Sequence, residues 1–192
     1  RQHGQIRAVG FETYVSLLED AMAEARGQVE RERLDPEVDL RVTGLIPELW
    51  VRDTDERLAL YRRLSSARTA EAIRRVVDDA ESEHGEAPLE VLQLSRTLEI
   101  RCRCRKLGIA RLAVLQVRAT MDFFEPPAEL ESKLKALCQS QPNRFKYVER
   151  RFEARFTPEE GQQPYLFIHW VLGLIEARPA VSVGAVGSAA RG

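Results

Sequence analysis

Apolar residues recur every three to four positions through much of the first half of the chain, which is the spacing of helices that bury one face. This spacing predicts a helix from Phe11 to Arg26. Residues 37–43 instead alternate apolar and charged side chains, which is the period of a half-buried strand. The first part of the chain is therefore predicted to hold a helix and one short strand.

A second helix is predicted from Asp53 to about Ser65. Asp53 is a good N-cap, and Glu56 stands three residues later as its capping-box partner. Leu58, Tyr61 and Leu64 are predicted to face inward. A longer helix is predicted to begin at Pro88, where the missing N–H leaves no hydrogen bond unmade, and to end at Leu107 before Gly108.

Between these two, a helix is predicted from Ala70 to His84, with Gly85 at its end. Its two sides differ in character. The predicted buried side consists of Ile73, Val76, Val77, Ala80 and His84. The other side carries four acids, which are Asp78, Asp79, Glu81 and Glu83.

The second half of the chain is richer in strands. Residues 109–114 and 118–124 have the pattern of two strands, as do residues 145–149 and 151–156. Helices are predicted over residues 128–139 and 163–177. The prediction is an α+β fold with helices packed on a small antiparallel sheet, a helical first half and a strand-rich second half.

Composition adds limits rather than a function. The 29 basic and 30 acidic residues leave a formal net charge of -1, which predicts neither a nucleic-acid-binding protein nor an acidic tail. Three cysteines without framework spacing favour a reducing, cytoplasmic location. The longest apolar run, residues 165–175, is shorter than a bilayer span and is predicted to be a core or interface helix. The start at Arg1 rather than methionine suggests a piece of a longer protein.

No motif predicts catalysis or a cofactor. The sequence has no glycine-rich phosphate loop, and its three histidines are not part of a recognisable catalytic pattern. Cys102 and Cys104 lie two positions apart on a predicted helix, so their side chains point about 200° apart and cannot share an ion. Catalytic residues, cofactors and metal ligands are therefore all predicted to be absent.

One candidate binding surface is basic. Residues 144–156 interleave basic side chains with Phe145, Tyr147 and Phe152, which would suit an accessory nucleic-acid-binding module. Strand alternation, with the aromatic side chains buried and the charges solvated, is the simpler interpretation.

The other candidate is the acidic side of the helix over residues 70–84. Asp78, Asp79 and Glu83 lie within two turns, where like charges repel each other and add little to the helix. A solvated face is one interpretation. A docking surface for a basic partner is the other, because arginine–carboxylate pairs would fix its register.

Residues Gly44 to Thr69 read GLIPELWVRDTDERLALYRRLSSART, which resembles the C-terminal domain of the bacterial transcription-repair coupling factors. Residues 2–6 (QHGQI) and 9–11 (VGF) resemble the segment by which that family's translocase motor enters its last domain. KLGI at 106–109 and QPNRF at 141–145 continue the likeness in the same order.

This resemblance implies a non-catalytic regulatory domain. The family's full-length protein is an ATP-dependent DNA translocase that displaces stalled RNA polymerase and recruits nucleotide excision repair proteins. Its C-terminal domain folds back on an N-terminal UvrB-like module and hides the surface that binds UvrA. The same autoinhibitory role is expected here, with UvrA and RNA polymerase as indirect partners and without contact to DNA or membrane.

The family's acidic contacts lie on a motif that aligns with residues 79–88. Asp79 matches the first acidic position, Ser82 stands where the family has a second acid, and Glu83 stands where it has an arginine. The expected partner-binding residues are Asp78, Asp79 and Glu83.

The resemblance also implies how the chain is organised. Residues 1–27 are expected to form the exit segment and helix from the motor, residues 28–178 the regulatory domain, and residues 179–192 a disordered tail. The apolar residues 171–175 of the last helix are expected to pack on a neighbouring domain.

Overall fold

The computed structural model describes residues 35–177. The helix predicted over residues 11–26, the exit segment 1–27 and the tail 179–192 lie outside these described residues. Within them, each helix and strand predicted from the sequence is present. The described helices and strands are β1 (Glu37–Asp39), α1 (Thr54–Ser66), α2 (Ala70–His84), α3 (Leu89–Leu107), β2 (Ile109–Val114), β3 (Arg118–Phe123), α4 (Ala128–Ser140), β4 (Phe145–Val148), β5 (Arg151–Arg155), α5 (Pro158–Gly161) and α6 (Pro164–Glu176).

The five strands form one sheet in the order β1-β2-β3-β5-β4. The neighbours from β2 to β4 run antiparallel, as predicted, but β1 pairs with β2 in parallel, with Val38 opposite Leu112. The sheet is therefore mixed. Helices α1, α2 and α3 connect β1 to β2, and a crossover of this length can return the chain in the same direction.

The prediction for residues 37–43 was too long, because β1 ends at Asp39. The Arg41 N–H donates to Asp39 Oδ1 at 2.8 Å, and Arg41 adopts a left-handed φ of 56°. This local turn takes the backbone out of the sheet, although Leu40 is still buried. The short helix α5 is absent from the prediction, because its four residues are too few to show a period.

Two buried clusters form the core, and α3 separates them. The helical cluster includes Leu64, Ile73 and Leu94 and lies among α1, α2 and α3. The sheet cluster includes Met121 and Phe152 and lies between the sheet and helices α3, α4 and α6. Because α3 contributes to both clusters, it is apolar on two opposite sides.

The two cysteines of α3 show this division directly. Cys102 belongs to the helical cluster and Cys104 to the sheet cluster, so their side chains point to opposite sides of the helix, as the spacing predicts. Burial raises the pKa of the Cys104 thiol to about 12. Neither geometry nor ionisation favours a shared metal ion at this pair.

The last helix is a core helix, which was one of the two interpretations, and the expectation that residues 171–175 pack on a neighbouring domain was wrong. Val171, Leu172 and Ile175 are buried in the sheet cluster of the same domain, rather than exposed for a neighbouring one. The strongly apolar pattern of α6 arises because one side of the helix covers the sheet. No helix among residues 35–177 is long and apolar enough to cross a membrane.

Candidate docking surface

Local sequence fixes both ends of helix α2, and burial of its apolar side leaves its polar side exposed to solvent. At the start, the Thr69 hydroxyl accepts from the Ala72 N–H at 3.1 Å. At the end, the Gly85 N–H donates to the Glu81 carbonyl at 2.9 Å, and Gly85 has a φ of 86°, which favours glycine. Ile73 and Ala80 are buried against the rest of the helical layer, so the opposite side faces outward.

Asp78, Asp79 and Glu83 all lie on this exposed side, and we call these three residues the acidic face. All three sequence-predicted residues are thus exposed, Asp78 on the side of α2 toward α3 and Asp79 and Glu83 on the side toward α1. Glu83 lies in the last turn of the helix, where a negative charge opposes the helix dipole. The acidic face is therefore not explained by a gain in helix stability.

Asp78 is the least engaged of the three. Within residues 35–177 its carboxylate makes neither a hydrogen bond nor an ion pair, while its carbonyl accepts from the Ser82 hydroxyl at 2.9 Å. It also lines a shallow groove between α2 and α3, together with Arg74 and Leu92. A partner's cation can reach this carboxylate without displacing an internal one.

Asp79 already has a cation. Arg63 of α1 forms an ion pair with its carboxylate, and the two side chains are 47% and 60% exposed. An ion pair this exposed contributes about 0–1 kcal/mol to stability. Arg63 therefore holds Asp79 weakly and remains exchangeable.

Glu83 stands beside His84 and Glu56 at the end of α2. His84 Nε2 lies 3.3 Å from Glu56 Oε1 and 3.9 Å from Glu83 Oε2. The Trp50 ring packs edge-on against the imidazole, with 5.7 Å between centroids, and its Nε1–H donates to the Gly85 carbonyl. Glu56 is thus drawn to His84 instead of closing the predicted capping box.

The ligand atoms of these three side chains are also close enough together to coordinate one cation. The ligand atoms of Glu56, Glu83 and His84 lie within 4.8 Å of one another, and no second group of this kind occurs in the part of the chain that the structure describes. Both carboxylates are exposed and the imidazole is half-buried. In the structure, Glu56 of α1 faces Glu83 and His84 of α2 across the contact between the two helices.

Glu81, the fourth acid of the helix, has a structural role. Its carboxylate accepts from the Ala87 N–H at 2.9 Å and so holds the loop that leads to α3. The residues that the sequence alone did not connect to the acidic face are Arg63, Glu56 and His84. Arg63 and Glu56 reach it from α1 across the contact with α2, which helical periodicity does not define, and His84 of α2 lies beside Glu56 at that contact.

The alternative basic surface, residues 144–156, is not supported by the structure. Phe145 and Phe152 are buried in the sheet cluster, so they cannot stack on nucleic-acid bases. Arg144 is also turned inward, with its guanidinium 4.5 Å from the Trp170 ring centroid. Arg151 donates to Asp122 of the neighbouring strand at 2.6 Å. The simpler interpretation, in which aromatic side chains are buried and charges solvated, is the one observed.

Comparison with known proteins finds relatives in sequence and in fold. The profile of the TRCF domain family matches residues 40–134. The transcription-repair-coupling factor of Myxococcus xanthus is 36% identical over 121 residues, which are 59% of this chain and 10% of that protein. The protein of the same name from Escherichia coli is 27% identical over 150 residues, 76% of this chain and 13% of that protein. The chain thus spans about a tenth of the length of these relatives.

A solved structure shares the fold. The crystal structure of the C-terminal domain of a transcription-repair coupling factor aligns with a TM-score of 0.55 and 14% identity, over 73% of this chain and 93% of that one. The segment matched by the family profile includes α1, α2 and α3, and therefore the whole acidic face. Residues 40–134 are homologous to the TRCF domain, and the described chain has the fold of the C-terminal domain of a transcription-repair coupling factor.

Proposed function

We propose that this chain is the autoinhibitory C-terminal domain of a transcription-repair coupling factor. In this role it takes part in transcription-coupled DNA repair by binding to another part of the same protein. It docks on the N-terminal UvrB-like module of the same protein and covers the surface that UvrA would bind, and engagement of RNA polymerase releases it. Such a device is an element with two states whose balance a partner shifts.

The observation that carries this proposal is the exposed acidic face on α2. Glu83 opposes the helix dipole in the last turn and repels Asp79 four residues earlier, and together these two effects cost about 0.5–1 kcal/mol of helix stability. Basic side chains of a partner would offset this cost on docking, and they would also fix the orientation of the two surfaces.

Docking within one protein does not require high affinity. A tether gives an effective concentration in the millimolar range, so a separated pair with a dissociation constant of roughly 0.1–1 mM is closed most of the time when tethered. The acidic face offers Asp78 directly and Asp79 and Glu83 after exchange of internal partners, which suits a clamp of this strength.

The test is a titration of the 192-residue chain with the separately purified N-terminal UvrB-like module, at low salt and up to millimolar concentration. Asp79→Lys should weaken binding at least about tenfold, because it replaces an attraction by a repulsion. The matched control is Glu71→Lys, which reverses an exposed acid that is also paired to an arginine, near the start of the same helix.

Equal effects of the two reversals would remove the acidic face from the interface. Absence of binding at millimolar concentration would overturn the docking itself, since a pair weaker than this would stay mostly open even when tethered.

A further inference from the structure

Arg63 occupies the position on Asp79 where a docking partner would place its own cation. It projects from α1, whereas Asp79 belongs to α2, so the ion pair joins two helices at the edge of the acidic face. The neighbouring Arg62 is also exposed, but its side chain makes neither a hydrogen bond nor an ion pair within residues 35–177. Of these two adjacent arginines, only Arg63 is directed to the acidic face.

From this arrangement we infer that Arg63 is an internal competitor that sets the strength of docking on the acidic face. The inference rests on the proposed docking function and adds a residue to it. In the undocked domain Arg63 neutralises Asp79. On docking, Arg63 must yield the carboxylate to the partner's basic side chain or share it at close range with a like charge.

Arg63 competes only weakly for Asp79, because both side chains are about half exposed or more and water screens their attraction. Removal of an exposed ion pair changes an equilibrium by about two- to fivefold. Arg63 therefore moderates the clamp and does not block it. A domain that must be released when a partner arrives benefits from such moderation, because a stronger clamp would oppose opening.

The experiment measures the affinity of the 192-residue chain for the UvrB-like module with Arg63→Gln. Binding should tighten about two- to fivefold at low salt. The matched control is Arg62→Gln, which removes an equal charge from the same helix without freeing an acid. It should tighten binding by less than about twofold, through general electrostatics alone.

A double-mutant comparison isolates the contact. In an Asp79→Asn background, Arg63→Gln should have no more effect than Arg62→Gln, because the pair no longer exists. Unfolding by urea supplies a second measurement: Arg63→Gln should leave stability unchanged or slightly lower while affinity rises, which a merely structural role would not produce.

Each outcome is decisive. If the wild-type chain binds and Asp79→Asn weakens binding, but Arg63→Gln does not tighten it beyond the Arg62→Gln control, the competitor role is wrong and the docking function stands. If the wild-type chain does not bind at millimolar concentration, both proposals are overturned.

Discussion

The sheet layer (β1 to β5) and the helical layer (α1, α2 and α3) of this domain both expose many charges, but the charges are arranged differently in the two layers. On the open side of the sheet, acids and bases alternate across the strands, so that Glu37, Arg111, Asp122 and Arg151 follow one another in register. Two cross-strand ion pairs result, Arg111–Glu37 and Arg151–Asp122, and Arg118–Glu153 adds a third; their distances are 2.6 to 3.9 Å. On α2, by contrast, acids stand beside acids. Unlike the sheet face, the acidic face is neutralised by its own layer only at Asp79, through the exposed ion pair with Arg63.

The contrast shows why summed charge says little about this protein. A formal net charge of -1 results from a balanced surface and an unbalanced one in the same molecule. The balanced sheet face is complete as a solvated surface. The unbalanced helical face is the one that has a use for a basic partner. Four predictions follow the two layers from their shared core to their surfaces.

The largest effect is expected in the sheet core. Phe152→Ala should lower the free energy of unfolding by about 3–5 kcal/mol, because it empties a fully buried site in the sheet cluster. Phe124→Ala, the same substitution at an exposed side chain, should change it by less than about 0.5 kcal/mol. Urea denaturation gives both values.

Tryptophan fluorescence tests whether the two layers unfold independently. The two tryptophans divide between them: Trp50 packs on the helical cluster and Trp170 lies on α6 over the sheet. In each of the variants Trp50→Phe and Trp170→Phe, the unfolding midpoint from the remaining fluorescence should coincide with that from far-UV circular dichroism, because α3 supplies side chains to both clusters. Two separate midpoints would contradict a shared core.

A smaller effect is expected where the chain after β1 crosses α3. A Cβ added at Gly44 would lie 2.6 Å from the Leu94 Cα, and backbone atoms cannot move aside easily. Gly44→Ala should therefore cost about 1–3 kcal/mol of stability through overpacking.

The matched control for this contact is Gly173→Ala in the middle of α6. Outside the local helix backbone, the nearest atom to an added Cβ there is Arg103 Nη2, at 3.9 Å, which is ordinary contact. This variant should be stabilised by up to about 1 kcal/mol, because alanine favours helix more than glycine does. Thermal unfolding that moved both variants in the same direction would refute the steric explanation.

Charge reversal in the sheet layer should cost about 1–2 kcal/mol. Asp122→Lys would place a cation between Arg111 and Arg151, its partners across the two neighbouring strands. Asp122→Asn, which removes the attraction without adding repulsion, should cost about half as much. The difference between these variants should shrink as salt is raised, since exposed charges are screened. A loss that salt does not change would point to packing instead.

Much of this architecture was accessible from the sequence, for reasons that individual residues make clear. The limits of α2 were predicted correctly because neighbouring residues set them: Thr69 caps its start and Gly85 caps its end. The opposite directions of Cys102 and Cys104 followed from helical geometry alone. These features depend on residues that are close in sequence, where the backbone fixes the relation between side chains.

The misses involve contacts between elements. For α1, Leu64 is buried as predicted, but Leu58 is only partly buried and Leu60 is buried instead, because packing against α2 and α3 sets how α1 is turned. The Arg63–Asp79 pair depends on that same turn. The residues of the acidic face were thus predictable from the sequence of α2, and the competing cation beside them was not.

The smallest effect is expected at the acidic face, and its sign should be opposite to that in the sheet. Glu83→Lys places a cation in the last turn of α2, four residues after Asp79, where both the helix dipole and an i,i+4 pair favour it. Stability should rise by about 0.3–1 kcal/mol in urea denaturation, while binding to the UvrB-like module weakens. Glu83→Gln should give roughly half of each change. An acid-to-lysine change that stabilises the fold and weakens binding identifies an acid kept for a partner, whereas loss of both would mean that Glu83 belongs to the balanced type of surface seen on the sheet.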